Sequence, residues 1–387
     1  MATTSVKGRP KWSWLIPFMI FLVSSQQLLY TIDEPPRKSS WQQDWQRDWQ
    51  KIEGQYITEG GVQDSSFSAC LLVMDDNHYL IEWLAFHYHT LPLRYLVIAV
   101  DPRSKTTPDL VLGRWKELMT IVRWEDSDFL PKEWQLRSVS EGDAKAKFIL
   151  HRERQRHFYP SCFLHLKRSN RTWTTVVDID EFVIANRHFA NVSKVKKQRL
   201  LSSSLLEGIH QMPGYENSAC ITMPRVRFGN YLEPNVMKKA FSPAGFNDRD
   251  FLTLRWRWRA ALDSRKDNRN PKSMIDVSKI EESSFSRLNT DAHRPVRSHC
   301  PRRDLYKKNA DSPFCVHHYV GTKEQWEFRR DAREGMKQRS ENRFLEYSQL
   351  KSAVDESACS WLKDFSDKFG LAGTQRLLQG VGNTTYS

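Results

Sequence analysis

The sequence lacks the glycine-rich signatures of two large classes of nucleotide-binding enzyme. Neither a G-x-G-x-x-G fingerprint nor a Walker loop occurs in its 387 residues, which counts against NAD-dependent enzymes and P-loop NTPases. No two cysteines have a C-x-x-C spacing, and zinc-finger and RRM-type signatures are missing as well. The chain is nevertheless basic, with 59 Lys and Arg against 46 Asp and Glu. We therefore expect its positive surface to suit a small anionic substrate rather than nucleic acid.

Long apolar runs are also rare, and the one that occurs lies at the N-terminus. Residues 12–23 are uncharged and the segment continues to residue 30, about the length needed to cross a bilayer. Basic residues precede it and acidic residues follow it, so the positive-inside rule places residues 1–11 in the cytosol. A cleaved signal peptide is the alternative, although no small-x-small site follows Val23. The sequence predicts a single-pass type II protein of the Golgi or another secretory-pathway membrane.

Glycosylation sequons and cysteines agree with a luminal location. Sequons begin at Asn170, Asn191 and Asn383, and all 6 cysteines follow the apolar segment. An even number of cysteines in an oxidising compartment allows them all to form disulfides. Cys300 and Cys315 close the shortest loop and are predicted to form one bridge.

The chain divides into an anchor, a stem, a folded domain and a tail. After the anchor at 12–30, residues 31–66 are predicted to form a stem. Within it Trp41, Trp45 and Trp49 line one face of a short helix, which would contact the membrane, self-associate or dock onto the folded domain. Residues 67–345 are predicted to form one α/β domain, and residues 346–387 a helical extension or tail.

Apolar strands alternate with helices in the first part of this domain. We predict strands over 69–74, 95–100, 119–124 and 174–178, and helices over 79–90 and 140–157. Such alternation indicates a mostly parallel sheet flanked by helices, with ligands at the carboxyl ends of the strands. The acidic residues that follow three of these strands are Asp75, Asp76, Asp101, Asp178 and Asp180.

The segment Asp178-Ile179-Asp180 is the strongest candidate for a metal site. Two carboxylates separated by one residue, directly after a buried strand, can both reach a hard divalent cation. Mg²⁺ or Mn²⁺ there would link them to a diphosphate and offset its charge as a leaving group departs. The alternative is an ordinary acidic surface turn. The position after an apolar strand favours the metal site.

Three segments, in order, resemble glycosyltransferase family 92 and related family 2-like enzymes. Residues 73–87 resemble the family's opening strand and its L-x-E-W-x-x-x-H helix, and residues 178–182 resemble its D-x-D-E-F motif. Residues 314–319, with the basic stretch 329–331, resemble its C-terminal His-Tyr segment. The match spans residues 68–335. The first turn departs from the family pattern, because it reads Asp75-Asp76-Asn77 instead of Asn-Glu.

The resemblance implies a GT-A-type, Rossmann-like fold, a nucleotide-sugar donor and a divalent metal, usually Mn²⁺. Asp180 would be the more direct metal ligand, with His317 or His318 completing the metal or diphosphate site. A His in an aromatic segment is more often structural, so one ligand at most is expected there. The residues implied to contact the donor are Asp75, Asp76, Asp101, Asp178, Lys272 and His293.

An inverting transferase also needs a base that accepts the proton of the acceptor hydroxyl. Candidates are Glu233, Asp248 and Asp250, and Glu233 ranks first because it follows a glycine-bearing turn. Residues 255–259 alternate Arg and Trp, which predicts a strand with three Arg on one face. That face would either bind an anionic acceptor or lie as a solvated sheet edge.

The function expected from these observations is metal-dependent, inverting transfer of a hexose, such as galactose, from a UDP-sugar to a glycan acceptor. A metal-dependent phosphodiesterase-type hydrolase and a non-catalytic, lectin-like protein of the same fold are the alternatives.

Overall fold

The computed structural model describes residues 66–135, 143–189, 217–300, 309–328 and 341–382. All of them belong to one compact unit that spans Gln63–Ser387. The predicted anchor, the stem helix with its three tryptophans, the sequons at Asn191 and Asn383 and the basic stretch 329–331 lie outside the described residues. Among the helices that are described, none combines the length and the apolar character needed to cross a membrane.

Strands and helices within these ranges are numbered in chain order. The strands are β1 (Phe67–Val73), β2 (Leu93–Val100), β3 (Thr120–Trp124), β4 (Trp173–Val176), β5 (Glu181–Ala185), β6 (Cys220–Met223), β7 (Arg225–Phe228), β8 (Trp258–Arg259), β9 (Lys272–Asp276), β10 (Phe314–Tyr319) and β11 (Ala353–Val354). The helices are α1 (Asn77–Thr90), α2 (Asp109–Gly113), α3 (Asp126–Phe129), α4 (Lys132–Gln135), α5 (Ala144–Arg168), α6 (Pro234–Met237), α7 (Leu252–Arg255), α8 (Arg265–Asn268), α9 (Lys323–Phe328), α10 (Glu341–Ser348) and α11 (Trp361–Leu377).

The first sheet has six strands in the order β3-β2-β1-β4-β9-β6. Neighbouring strands β3, β2, β1 and β4 run parallel, whereas β9 is antiparallel to both β4 and β6. The mostly parallel α/β sheet predicted from the sequence is therefore confirmed. The four predicted strands and two predicted helices are present as well, although α5 continues to Arg168, well past the predicted end.

A second sheet has the order β11-β8-β7-β10-β5. Strand β5 pairs antiparallel with β10, and β10 pairs parallel with β7. Strand β4 belongs to the first sheet and β5 to the second, so the chain changes sheets between Val176 and Glu181. The Asp178-Ile179-Asp180 turn is that connection, and both sheets therefore fix its position.

Helix α1 is buried on all sides, since every residue from Asn77 to Tyr88 is excluded from solvent. Its Phe86 ring lies 5.1 Å from the ring of Phe182 on β5 and 5.6 Å from that of Trp361 on α11. His87 of the same helix donates through Nδ1 to the carbonyl of Trp83 and accepts from the amide of Val183 at 3.1 Å. The motif histidine is thus a structural residue that joins α1 to β5.

Two disulfides connect distant parts of the chain. Cys70 on β1 is bonded to Cys162 on α5, and Cys220 on β6 is bonded to Cys300. Cys315 is a free, buried thiol on β10 of the second sheet. The predicted Cys300–Cys315 bridge is therefore wrong, because spacing along the chain did not reveal that Cys300 lies against the first sheet while Cys315 belongs to the second.

The cysteine arrangement predicts a distinctive thiol titration. Cys315 and Cys359 are both free and buried, so a thiol reagent should label none of the 6 cysteines in the native protein. Labelling should rise to two per chain in denaturant and to all 6 after reduction in denaturant. Four labelled thiols in denaturant without reductant would contradict one of the two disulfides.

The Arg-Trp segment at 255–259 differs from its prediction as a single solvated strand. Helix α7 ends at Arg255, and β8 contains only Trp258 and Arg259. Arg257 is 1% exposed and forms an ion pair with Asp248 at 2.6 Å. Because Asp248 also accepts from the amides of Phe241 and Ser242, it is a structural counter-ion rather than an accessible base.

Candidate functional site

Acidic residues follow three neighbouring parallel strands at one edge of the first sheet. Asp75 follows β1, Asp101 follows β2 and the Asp178–Asp180 turn follows β4, and these strands are adjacent in the order β2-β1-β4. The carboxyl ends of parallel strands are where ligands bind in open α/β sheets. The sequence-based prediction that these side chains share an edge is confirmed.

Asp75 and Asp76 accept hydrogen bonds that fix the loops at this edge of the sheet. Asp75 has a positive φ of 54°, and its Oδ1 accepts from the amides of Lys105 at 2.7 Å and Thr106 at 3.0 Å. Asp76 precedes α1, and its Oδ2 accepts from the amide of Met74 at 3.0 Å. The turn after β1 is thereby fixed against the loop after β2. Direct contact of either carboxylate with a donor stays a prediction.

Asp101 is buried between two arginines. Arg103 lies 2.7 Å from its carboxylate and Arg154, on α5, lies 2.5 Å from it. Burial disfavours the charged form, but the two guanidinium groups outweigh it and lower the pKa of Asp101 to about 2. Arg154 also reaches Asp126 at 2.6 Å, so this cluster joins the ends of β2 and β3 to the long helix.

The Asp178–Asp180 turn is held by a buried lysine. The Nζ atom of Lys272, at the start of β9, is fully excluded from solvent and lies 3.0 Å from Asp178 and 2.9 Å from Glu181. Glu181 in turn accepts from the amide of Asp178 at 2.8 Å and pairs with Arg225 at 3.3 Å. The sequence suggested that Lys272 contacts a diphosphate, whereas the structure uses its ammonium group to fix the turn.

The charges in this cluster determine one another's protonation. Burial opposes ionisation of Asp178, but the attraction of Lys272 outweighs it and holds the pKa of Asp178 below its usual range. Burial likewise opposes protonation of Lys272, and the two carboxylates outweigh it and raise the pKa of Lys272. Both groups are therefore charged at neutral pH.

The two adjacent histidines of β10 lie on opposite faces of the strand. His317 is 1% exposed, and its ring lies 4.4 Å from that of Phe228 in the core. His318 faces the turn, with Nε2 3.7 Å from Oδ2 of Asp180. Burial outweighs the attraction of Asp180 and lowers the pKa of His318, so this imidazole is neutral. The structure thus brings only His318 to the aspartates.

Arg227 on β7 approaches the other nitrogen of His318, with Nε 3.5 Å from Nδ1. Because an arginine can only donate, we assign Nδ1 as the acceptor and Nε2 as the protonated nitrogen that faces Asp180. In this tautomer the protonated nitrogen of His318 faces the carboxylate of Asp180, 3.7 Å away. A ligand role for His318 would require the other tautomer.

The donor set fits a cation that the substrate helps to bind. Among the residues that the structure describes, no three His, Cys, Asp or Glu side chains form a metal-binding group. Mg²⁺, and Mn²⁺ with its similar ligand preference, are commonly bound by one or two carboxylates together with substrate phosphates and water. Asp178 and Asp180 supply such a pair, and Asp180 is partly accessible, with 15% of its side chain exposed.

His293 lies beside this cluster. Its Nδ1 is 3.3 Å from the carbonyl of Pro271, and its amide donates to Asp291 at 2.7 Å. Burial, reinforced by the nearby Lys272, lowers the pKa of His293 to about 3. The imidazole is therefore neutral, and its predicted contact with a diphosphate would be a hydrogen bond rather than an ion pair.

The two candidate bases lie in different surroundings. Glu233 is half-buried and precedes the short helix α6. Asp250 borders a cavity of about 170 Å³, and partial burial, opposed by Arg255, raises the pKa of Asp250. The other side chains around this cavity include Arg255, Trp256, Glu324 and Gln325.

The cavity lies close to the aspartate turn along the chain. Thr322 forms part of its wall and is three residues beyond Tyr319, whose amide donates to the carbonyl of Asp180 at 2.9 Å. Three residues of extended chain span at most about 11 Å. A second substrate in this cavity would contact Asp250, which borders it, and not Glu233, which is absent from its lining.

Sequence reasoning missed the residues that hold these walls in place. Glu82, on α1, is buried and accepts from the amides of Leu252 at 2.6 Å and Thr253 at 3.0 Å. Burial raises the pKa of Glu82 to about 7. The glutamate of the L-x-E-W motif thus anchors the start of α7, which leads to Arg255 in the cavity wall. The motif was visible in the sequence, but its distant partner was not.

Comparisons with known proteins add little to this geometry. No protein-family model matches the chain, and no curated protein matches it. Among solved structures, the chain is similar to the galactosyltransferase LgtC in complex with donor and acceptor sugar analogs. The identity is 13%, the coverage is 75% of this chain and 98% of that one, and the TM-score is 0.26. A likeness this weak carries no argument, so the case for function rests on the site and the resemblance to family 92 stays a prediction.

Proposed function

We propose that the chain is a metal-dependent glycosyltransferase that moves a sugar from a nucleoside diphosphate-sugar to a glycan acceptor. The observation that carries this proposal is the placement of the Asp178–Asp180 turn. It lies at the carboxyl edge of adjacent parallel strands, where the chain passes from one sheet to the other. An accessible carboxylate pair in that position suits a metal-bound diphosphate.

Each group of residues has a role in this proposal. Asp178 and Asp180 hold the divalent cation, for which we propose Mn²⁺, and His318 orients Asp180. The cation, when bound, neutralises charge on the departing diphosphate. Lys272 and Glu181 keep the turn rigid, so that the two aspartates need little reorganisation when the donor arrives.

The acceptor is proposed to occupy the cavity beside Asp250. An aromatic residue, carboxylates and guanidinium groups surround it, and such a set can pack against a sugar ring and bond its hydroxyls. Asp250 is then the base that takes the proton from the acceptor hydroxyl, and its raised pKa brings it nearer to that role. Glu233 is the second choice.

The finer features of the proposal come from the sequence alone. We propose a UDP-sugar donor, a hexose such as galactose as the transferred group, inversion at the anomeric carbon and a type II anchor in a Golgi or related membrane. Asn170 is exposed at the C-terminal end of α5, where a glycan could be attached in that compartment.

A screen of UDP-sugars tests the function directly. The full-length chain should release UDP from one of them, lose this activity with a chelator and regain it with Mn²⁺. Binding of UDP without turnover of any sugar in the presence of glycan acceptors would favour the lectin-like alternative. Cleavage of simple phosphodiesters without preference for a sugar would favour the hydrolase alternative.

A further inference from the structure

Four arginines in the described part of the chain are less than one-tenth exposed. Three of them have a carboxylate partner, and the pairs are Arg154 with Asp101 at 2.5 Å, Arg225 with Glu181 at 3.3 Å and Arg257 with Asp248 at 2.6 Å. The fourth, Arg227, is 6% exposed and forms no ion pair with any described residue. This difference singles out Arg227.

The neighbours of Arg227 satisfy only part of its guanidinium group. Nε lies 3.5 Å from His318, and the guanidinium carbon lies 4.6 Å from the centre of the Tyr347 ring. Nη1 is buried and has no hydrogen-bond partner in the described structure. Burial, reinforced by Arg225 and opposed by Tyr347 and by the more distant carboxylate of Asp267, lowers the pKa of Arg227 to about 10, and the group is still charged at neutral pH.

The stability of the fold does not account for a charge in this position. A buried ion without a counter-ion destabilises the folded state, and an apolar side chain of similar length avoids that cost. A guanidinium group is well suited to phosphate, since its planar donors match two phosphate oxygens. The missing counter-ion is therefore well explained by an anion that a ligand supplies.

The position of Arg227 indicates which ligand. Strand β7 pairs with β10 so that Arg227 is opposite His318, and His318 is 3.7 Å from Asp180. One imidazole ring thus separates the unpaired cation from the aspartate turn. Arg225, on the same face of β7, is already paired with Glu181 of that turn. An anionic group that reaches the aspartates would also come near Arg227.

We propose that Arg227 binds a phosphate oxygen of the diphosphate at the Asp178–Asp180 turn, in the donor and in the nucleoside diphosphate that leaves. The identity of the ligand as a diphosphate rests on the proposed function, whereas its negative charge is inferred from the unpaired guanidinium group alone. Arg227 would complement the cation, which neutralises the diphosphate from the aspartate side, and would favour a diphosphate over a neutral nucleoside.

The test compares three probes on wild type and two variants of the full-length chain. Binding of uridine, UDP and inorganic pyrophosphate is measured by calorimetry in the presence of Mn²⁺, for wild type, Arg227→Met and Arg227→Lys. Arg227→Met should weaken UDP and pyrophosphate by about tenfold or more and leave uridine unchanged, with Arg227→Lys between the two. The melting temperature of Arg227→Met should equal or exceed that of wild type.

Arg257→Met is the matched structural control. It removes an equally buried guanidinium from a site that has its own carboxylate, so its melting temperature should fall. An Arg227→Met variant that melts as low as this control, or that binds UDP and pyrophosphate as wild type does, overturns the inference. So does an equal loss of uridine binding.

Binding and turnover measurements distinguish a failure of the Arg227 anion site from a failure of the proposed function. Arg227-dependent binding of pyrophosphate by a chain that turns over no UDP-sugar would uphold the anion site and reject the glycosyltransferase. Sugar transfer with unchanged UDP binding in Arg227→Met would uphold the function and reject the role of Arg227.

Discussion

Replacing Asp180 by asparagine is expected to lower metal-dependent sugar transfer by about a hundredfold or more while the fold stays intact. The amide keeps the size of the side chain and removes the negative charge that the cation needs. Asp180 is partly exposed, so water solvates part of its charge, and the imidazole of His318 beside it is neutral. Metal binding is therefore expected to depend on the charge of Asp180 more strongly than stability does. Initial rates of UDP release at saturating Mn²⁺, with thermal melts of the same samples, check both parts.

A matched control separates this effect from a general loss of negative charge. Asp263 is exposed on the surface before α8, so Asp263→Asn should leave transfer and melting unchanged. Asp178 is a weaker test residue, because its carboxylate also pairs with Lys272 and its replacement disturbs the turn. Full turnover by Asp180→Asn in Mn²⁺ would show that the turn does not hold the metal.

The parts of the fold that the sequence revealed are those with strong local periodicity. Strands β1 and β2 are continuous apolar runs, and α1 and α5 are long enough for their ends to be predicted within a few residues, apart from the C-terminal end of α5. The second sheet escaped prediction because its strands pair with partners far away in the sequence and two of them are very short. Strands β8 and β11 have two residues each, and they pair across nearly a hundred positions of sequence. Pairing at that distance leaves no local pattern.

The same distinction applies to the candidate site. Carboxylates after parallel strands were predictable, because the alternation of strands and helices fixes the edge at which those strands end. The positions of the cations that pair with or approach this site could not be predicted. Lys272 reaches the turn only because β9 inserts antiparallel between β4 and β6, and Arg227 meets His318 only through the pairing of β7 with β10. Local sequence patterns do not reveal which strands become neighbours.

The buried lysine explains why the aspartate turn is rigid. Lys272 is the first residue of β9, whose next residue pairs with Val176 at the end of β4. Its ammonium group therefore lies beneath the turn that follows β4 and draws Asp178 and Glu181 together. Without that cation, the buried carboxylate of Glu181 would face the partly exposed carboxylate of Asp178, so the fold and the metal site depend on the same side chain.

Replacing Lys272 by methionine is accordingly expected to lower the free energy of unfolding by about 2 to 3 kcal/mol at neutral pH, less than for a fully buried pair because water screens Asp178. Methionine fills most of the volume but leaves the buried carboxylate of Glu181 and the partly exposed carboxylate of Asp178 without their shared cation. Arg225 still reaches Glu181, at 3.3 Å, and water still solvates the exposed part of Asp178, so each carboxylate keeps part of its stabilisation. Denaturant unfolding of wild type and variant measures the difference, and sugar transfer should fall with it because the turn loses its support.

The pH dependence of that difference identifies its cause. In wild type, Lys272 holds the pKa of Asp178 below its value in the unfolded chain, so the stabilisation is complete above pH 4 or so and is lost as the pH falls further. The gap between wild type and Lys272→Met should therefore narrow in acid. Lys279→Met, at an exposed lysine 3.7 Å from Asp276, should change stability by no more than about 0.5 kcal/mol. If the two lysine variants unfold at the same denaturant concentration, Lys272 does not hold the turn.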